Sequence, residues 1–274
     1  MFKNRFWSVA SFIFMGLLAI LLLAGCGPSD QPSCEDIVFD SGGEPVDTVL
    51  CLPSGPQVDL PAVVFLHGVG AFEPPPPEIL PDIEDAMGYT IHRELAEHGF
   101  ATLSILYFSR TPSPVGAVPN TFMGAYDLAI VEARPTWIST IEDGLSYMQS
   151  RPDIDPDRIG LVGYSLGGSV ALALDQDRND HAALILISGF VWMDEDLENL
   201  TAGDTPTLIL QGEADDMVPM SDALLIKDAL EAHGIEHELI VIPGADHRWI
   251  GEEGNMGFDA VVEFLESYLR PSGP

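Results

Sequence analysis

Short apolar runs alternate with segments of helical spacing along most of this chain, and that alternation constrains the architecture more than any other feature. Residues 61–66, 158–162, 182–187, 207–211 and 238–242 are apolar enough for buried strands, and 100–108 is strand-like. Helical patterns occupy 89–98, 135–151, 168–174, 221–233 and 258–269; in 135–151 the period runs through Trp137, Ile138, Ile141, Leu145 and Met148. Strands that are apolar on both sides leave no face for solvent. The order therefore predicts an α/β fold, a mainly parallel sheet with helices on both faces. Residues 190–203 are too few for a large cap domain.

The N-terminus reads as a processing segment. Lys3 and Arg5 precede an uncharged apolar stretch over 9–24, the pattern of an export signal. That stretch ends in Leu23-Ala24-Gly25-Cys26, which resembles a bacterial lipobox. The resemblance implies cleavage before Cys26, diacylglycerol on its sulfur, and attachment of the mature chain to a membrane. With Gly27 rather than Asp after the cysteine, the resemblance points to the outer membrane in a Gram-negative envelope. Acyl chains contribute about 0.8 kcal/mol per buried CH₂, so several hold a protein at a membrane without a spanning helix. The expected organisation is a signal peptide over 1–25, a polar lipidated tether over 26–33, and one domain over 34–274, large enough for a substantial core.

Lipidation of Cys26 leaves Cys34 and Cys51. Ser41-Gly42-Gly43-Glu44 has the composition of a hairpin turn, and with Gly42-Gly43 as its loop the ladder sets Cys34 opposite Cys51. A disulfide there would close a loop of about 15 residues and contribute about 3 kcal/mol. Two buried free thiols are the alternative, and Pro45 could shift the register; an oxidising compartment favours the bridge. Acidic residues number 43 against 11 basic, a formal net charge of -32. Such a surface argues against nucleic acid as a partner and against attraction to anionic headgroups, and fits a soluble, salt-adapted exterior.

The strongest local pattern joins the apolar run at 158–162, the five residues Gly163-Tyr164-Ser165-Leu166-Gly167, and a small-residue helix. Strand, G-x-S-x-G and helix together lift a serine hydroxyl onto a tight turn, with free helix N–H groups beneath it. A hydroxyl is a weak nucleophile at neutral pH and needs a base, and an imidazole in that role needs a carboxylate on its other nitrogen. Two further loops follow strand ends with that chemistry. Gln211-Gly212-Glu213-Ala214-Asp215-Asp216-Met217-Val218-Pro219 offers Asp215 or Asp216, and Pro243-Gly244-Ala245-Asp246-His247 offers His247. Asp246 reads as a turn residue.

From about residue 61 to 269 the chain resembles an α/β-hydrolase of the dienelactone-hydrolase-like type, and is similar also to prolyl-oligopeptidase-like esterases. The resemblance rests on Asp153-Ile154-Asp155-Pro156-Asp157-Arg158-Ile159-Gly160 leading into Gly163-Tyr164-Ser165-Leu166-Gly167-Gly168, on Gly212-x-x-Asp215-x-x-Val218-Pro219, and on His247 after Gly244 and Ala245. It implies a catalytic set of Ser165, Asp215 and His247, with Asp215 rather than Asp216 as the acid. It also implies an oxyanion hole from the backbone N–H groups of Val69, in the loop His67-Gly68-Val69-Gly70, and of Leu166. Dienelactone hydrolases proper carry cysteine as nucleophile; serine at 165 turns the expectation toward general ester hydrolysis. The implied activity is a cofactor-free serine hydrolase acting on a small-molecule or acyl-ester substrate. A peptidase or lactone hydrolase with the same triad, or a non-catalytic lipid-anchored binding protein on this scaffold, stands as the alternative.

Other candidates weigh less. His67 is read as an organiser of its loop. His92, His98, His181, His233 and His237 default to surface positions, and no pair of them has metal-ligand spacing with a carboxylate or thiolate. The Gly-rich elbow lacks P-loop spacing, so no nucleotide is expected. The proline-rich stretch 73–78, the loop over 110–125, and Trp192 with Met193 are candidates to shape a pocket. Oligomeric state is not legible.

Overall fold

In a computed structural model of the chain, residues 31–68, 89–111, 126–176, 178, 180–193, 195–201, 205–249 and 257–270 are described. Residues 1–30, where a signal peptide and Cys26 are expected, Val69, the stretch 73–78 and residues 112–125 fall outside them. Strands β1 (Ser33–Ser41), β2 (Glu44–Leu52), β3 (Leu60–Leu66), β4 (Ala101–Ile105), β5 (Ile154–Tyr164), β6 (Ala183–Ile187), β7 (Thr207–Gly212) and β8 (His237–Ile242) form one eight-stranded sheet in the order β1-β2-β4-β3-β5-β6-β7-β8. Strands β1, β2 and β4 pair antiparallel, and every pairing from β4 through β3 to β8 is parallel. The expected mainly parallel α/β sheet is present.

Helices α1 (Tyr89–Glu97), α2 (Tyr126–Ser150), α3 (Leu166–Asp175), α4 (Glu195–Glu198), α5 (Met220–His233) and α6 (Phe258–Leu269) complete the order. The period-two geometry of a strand divides its side chains between two cores. Ala62, Val64 and Leu66 of β3 join Trp137, Ile141, Leu145 and Met148 of α2, with Val170 of α3 and Ile226 of α5. Val63 and Phe65 turn the other way, toward Ile91 and Leu95 of α1 and Val261 and Leu265 of α6. Both faces are covered, which is why these strands can be apolar throughout.

The hairpin forms as the glycine pair dictates. Gly42 and Gly43 hold φ of 61 and 88°, backbone that a two-residue turn demands and that residues with a Cβ resist. Ser41 pairs with Glu44, Pro45 with Asp40, and Cys34 faces Cys51, to which it is disulfide-bonded. Pro45 leaves the register undisturbed.

Two boundaries depart from the sequence reading. The helix expected to begin at Pro135 begins at Tyr126, with Pro135 inside it. A proline forfeits one intrahelical bond, and here the burial of Trp137, Ile141, Leu145 and Met148 just beyond it offsets that loss. The strand expected over 100–108 ends at Ile105, where the chain coils through Ser109 N–H to Leu106 O at 3.0 Å and Thr111 N–H to Phe108 O at 2.9 Å. Tyr107 and Phe108 stay buried, so an apolar turn reads like a strand. Between β6 and β7 the described residues hold only the short α4. Among the described residues no helix is long and apolar enough to cross a membrane.

Candidate active site

Ser165 stands between β5 and α3 at φ 54° and ψ −118°, a strained conformation for a residue with a Cβ. Its N–H is tied to Ile187 O of β6 at 2.8 Å. The flanking glycines are required by contact. A Cβ on Gly163 would lie 2.4 Å from Gly167 O, and one on Gly167 would lie 2.2 Å from Leu66 O of β3. The elbow therefore closes only with hydrogen at both positions. Leu166 is the first residue of α3, so its N–H belongs to the set that a helix start leaves without an intrahelical acceptor.

The structure brings His247 and Asp215 to this serine. His247 Nε2 lies 3.0 Å from Ser165 Oγ, and Nδ1 lies 2.9 Å from Asp215 Oδ2. A carboxylate only accepts, so Nδ1 carries the proton and the Nε2 lone pair faces the hydroxyl. Ser165 and His247 are buried, at 8 % and 5 % exposure, and the Asp215 side chain has no exposed surface. Asp216, the neighbouring carboxylate, is exposed. Asp246 is exposed as well and accepts a hydrogen bond from Arg248 N–H at 2.8 Å, as a turn residue would.

The loops that carry acid and base are sewn together behind them. Ala214 N–H donates to Ala245 O at 2.9 Å, Glu213 N–H to Ile242 O at 3.0 Å, and Gly244 N–H to the Glu213 carboxylate at 2.9 Å. Asp215 Oδ1 accepts the N–H groups of Met217 and Val218 at 3.0 and 2.8 Å. Tyr164 donates its hydroxyl to His247 O at 2.7 Å; burial, with the Asp215 charge nearby, raises its pKa and keeps it a donor. Tyr164 and Gln211 are contacts that the sequence reading did not assign. A glutamine closing the buried strand Thr-Leu-Ile-Leu-Gln-Gly was the available signal, because such a residue is seldom buried without a partner.

His67 follows the last residue of β3 as a buried ring, stacked on Tyr107 at 4.6 Å with Phe108 edge-on at 4.8 Å. Burial lowers its pKa to about 4, partly opposed by a hydrogen bond to Gly68 O. That bond, at 2.9 Å, and the Tyr107 hydroxyl on His67 O, at 2.8 Å, hold the backbone at His67 and Gly68. Phe190 and Trp192, which follow β6, stack edge-on at 5.6 Å, and Trp192 lies 6.3 Å from Trp137. Asp196 pins this segment: its carboxylate pairs with Arg134 of α2 and accepts Met193 N–H at 3.3 Å.

The surface default fails for two histidines. His92 is 1 % exposed, with its ring edge-on to Phe65 at 4.9 Å, and His181 is 4 % exposed, 2.9 Å from Asp175. His92 lies on the buried face of α1, and His181 in the bend just before β6; the sequence pattern extended burial to neither. Among the described residues no group of three or more His, Cys, Asp or Glu is placed to hold a metal ion.

The model of the dienelactone hydrolase family matches residues 46–264, from the second strand of the hairpin into α6. The chain belongs to the dienelactone hydrolase family. Among curated relatives of this family member, the human carboxymethylenebutenolidase homolog is 26% identical over 126 residues, covering 42% of this chain and 49% of that protein. The chain spans about half the length of the curated relatives it matches. Among solved structures, the dienelactone hydrolase of Anabaena variabilis superposes with a TM-score of 0.65 at 23% identity, over 88% of this chain and 100% of that one. A dienelactone hydrolase-like promiscuous phosphotriesterase from metagenomic libraries gives 0.68 at 14% identity, over 87% and 99%. These likenesses are to the fold. The eight-stranded sheet and its helices are those of an α/β-hydrolase.

Proposed function

We propose that this dienelactone hydrolase family member is a serine hydrolase of carboxylic esters, held at the cell envelope by lipid on Cys26. The reading is carried by one observation, the unbroken hydrogen-bond line from Asp215 through His247 to Ser165. In the proposed cycle His247 Nε2 takes the hydroxyl proton as Ser165 Oγ bonds to the acyl carbon. The negative charge moves to the carbonyl oxygen, which the Leu166 and Val69 N–H groups receive. On collapse the ester C–O bond breaks and His247 returns its proton to the departing alcohol. Water then attacks the acyl-enzyme with His247 again as base, releasing the acid and restoring the serine. Asp215 holds the tautomer and stabilises the imidazolium.

The anchor reading rests on the lipobox-like Leu23-Ala24-Gly25-Cys26. One experiment addresses both parts. Membranes from an expressing bacterium, treated with a fluorophosphonate, should show the protein labelled at Ser165 and sedimenting with lipid. Ser165→Ala should abolish the label and lower ester turnover by about 10³-fold or more with an unchanged melt. Labelled palmitate supplied during growth should enter the wild type and not Cys26→Ser. Full turnover in Ser165→Ala would refute the mechanism, and absence of palmitate from the wild type would refute the anchor.

A further inference from the structure

Gln211, the penultimate residue of β7, has its side chain fully buried, at 0 % residue exposure. Its Nε2 donates to Asp215 Oδ2 at 3.1 Å and to Val218 O at 2.9 Å. The two partners fix the orientation of the amide, since a carboxamide turned over would set its oxygen against two acceptors. Asp215 Oδ2 is also the oxygen that accepts His247 Nδ1–H at 2.9 Å. With Met217 and Val218 N–H on Oδ1, both oxygens of the carboxylate have two donors each, and the Asp215 side chain has no exposed surface. Three of the four donors are amide N–H groups, and the fourth is the His247 imidazole.

From this geometry we propose that Gln211 is a positioning residue for the acid–base pair. It holds Oδ2 in line with His247 Nδ1 and shares the negative charge of that oxygen. The proposal rests on the serine-hydrolase reading above. The two backbone donors bind Oδ1 and leave the carboxylate free to swing about the Oδ1 side. The carboxamide, joining Oδ2 to the Val218 carbonyl across the same turn, removes that freedom. It also draws charge from the oxygen facing the imidazole, so that the imidazolium is stabilised less than by an Asp without this donor. Among the described residues, Tyr164, with ring centroids 5.4 Å apart, and the chain neighbours Asp246 and Arg248 are further ionisable groups beside His247.

The test compares wild type with Gln211→Met, which keeps length and loses the donor, and Gln211→Glu, which replaces the donor with an acceptor. Hydrolysis of p-nitrophenyl acetate is followed from pH 5 to 9, with fluorophosphonate labelling of Ser165 and a thermal melt for each protein. Gln211→Met is expected to lower kcat/KM about tenfold and to move the acid limb of the profile to higher pH. Gln211→Glu should move it further in the same direction, because added negative charge favours the protonated imidazole. Gln211→Asn, which withdraws the carboxamide by one methylene, serves if Gln211→Met does not fold. An acid limb unchanged in these variants, with wild type active and labelled at Ser165, overturns the proposal and leaves Gln211 a strut of its turn. A wild type neither active nor labelled overturns the serine-hydrolase reading and this proposal with it.

Discussion

An imidazole between a serine and an acid needs one carboxylate, and the chain offers two in succession. From the residues alone Asp215 and Asp216 were equivalent, and the family-like spacing to Val218-Pro219 favoured the first. What separates them physically is the turn. Asp215 Oδ1 takes two backbone N–H groups of the turn and its Oδ2, bound also by Gln211, faces His247, while Asp216 is exposed. Asp215→Asn should therefore lower kcat on the order of 10⁴-fold, because the amide favours the wrong tautomer. Asp216→Asn should leave kcat unchanged; steady-state rates on an activated ester separate the two. At this scale Ser165 and His247 were legible because elbow and base loop each carry a local signature. Gln211 was not assigned, since the pattern of its turn begins at Gly212 and marks Asp215, Val218 and Pro219 but not the side chain that binds Asp215 and Val218 from the strand. His92 and His181 were misread for a similar reason: a polar type outweighed a buried position.

At the scale of elements, the hairpin was legible down to its register, because two glycines in succession leave one turn geometry and that geometry fixes every pair beyond it. The start of α2 and the end of β4 were not, since a proline inside a helix and an apolar turn both imitate a boundary or a strand. The register carries a consequence. The cross-link between Cys34 and Cys51 fastens β1 to β2, and β2 is its sole neighbour in the sheet order. Closing a loop of this size contributes about 3 kcal/mol through the unfolded chain. Cys34→Ser with Cys51→Ser should lower the urea midpoint accordingly, and reductant should lower the wild-type midpoint to the same value while leaving the double variant unmoved. If reductant shifts both equally, the effect lies elsewhere than in this bond.

For the whole molecule, the alternation of strands and helices was enough to predict a covered parallel sheet, but the order of the strands in it was not readable, because pairing is decided by packing between distant segments. Global charge and buried charge then act on stability in different ways. The acidic surface, at a formal net of -32, opposes compaction at neutral pH and is screened by salt, so a pH series must hold ionic strength constant. Beneath that surface burial lowers the pKa of His92 to about 3, with His67 adding to the effect, and lowers that of His67 to about 4. An unfolded histidine titrates near 6.5. Between that pH and the folded values the unfolded chain binds protons that the folded chain refuses. The stability held by these neutral rings is thus complete above about pH 6.5 and is lost as the pH falls, at up to about 1.4 kcal/mol per pH unit for each ring. Urea midpoints from pH 7.5 to 4.5 should fall, and His92→Phe should flatten the slope whatever it does to stability at pH 7.5. A slope identical in wild type and His92→Phe would assign the acid sensitivity to the carboxylates instead, whose titration lies lower and whose protonation also relieves the surface repulsion.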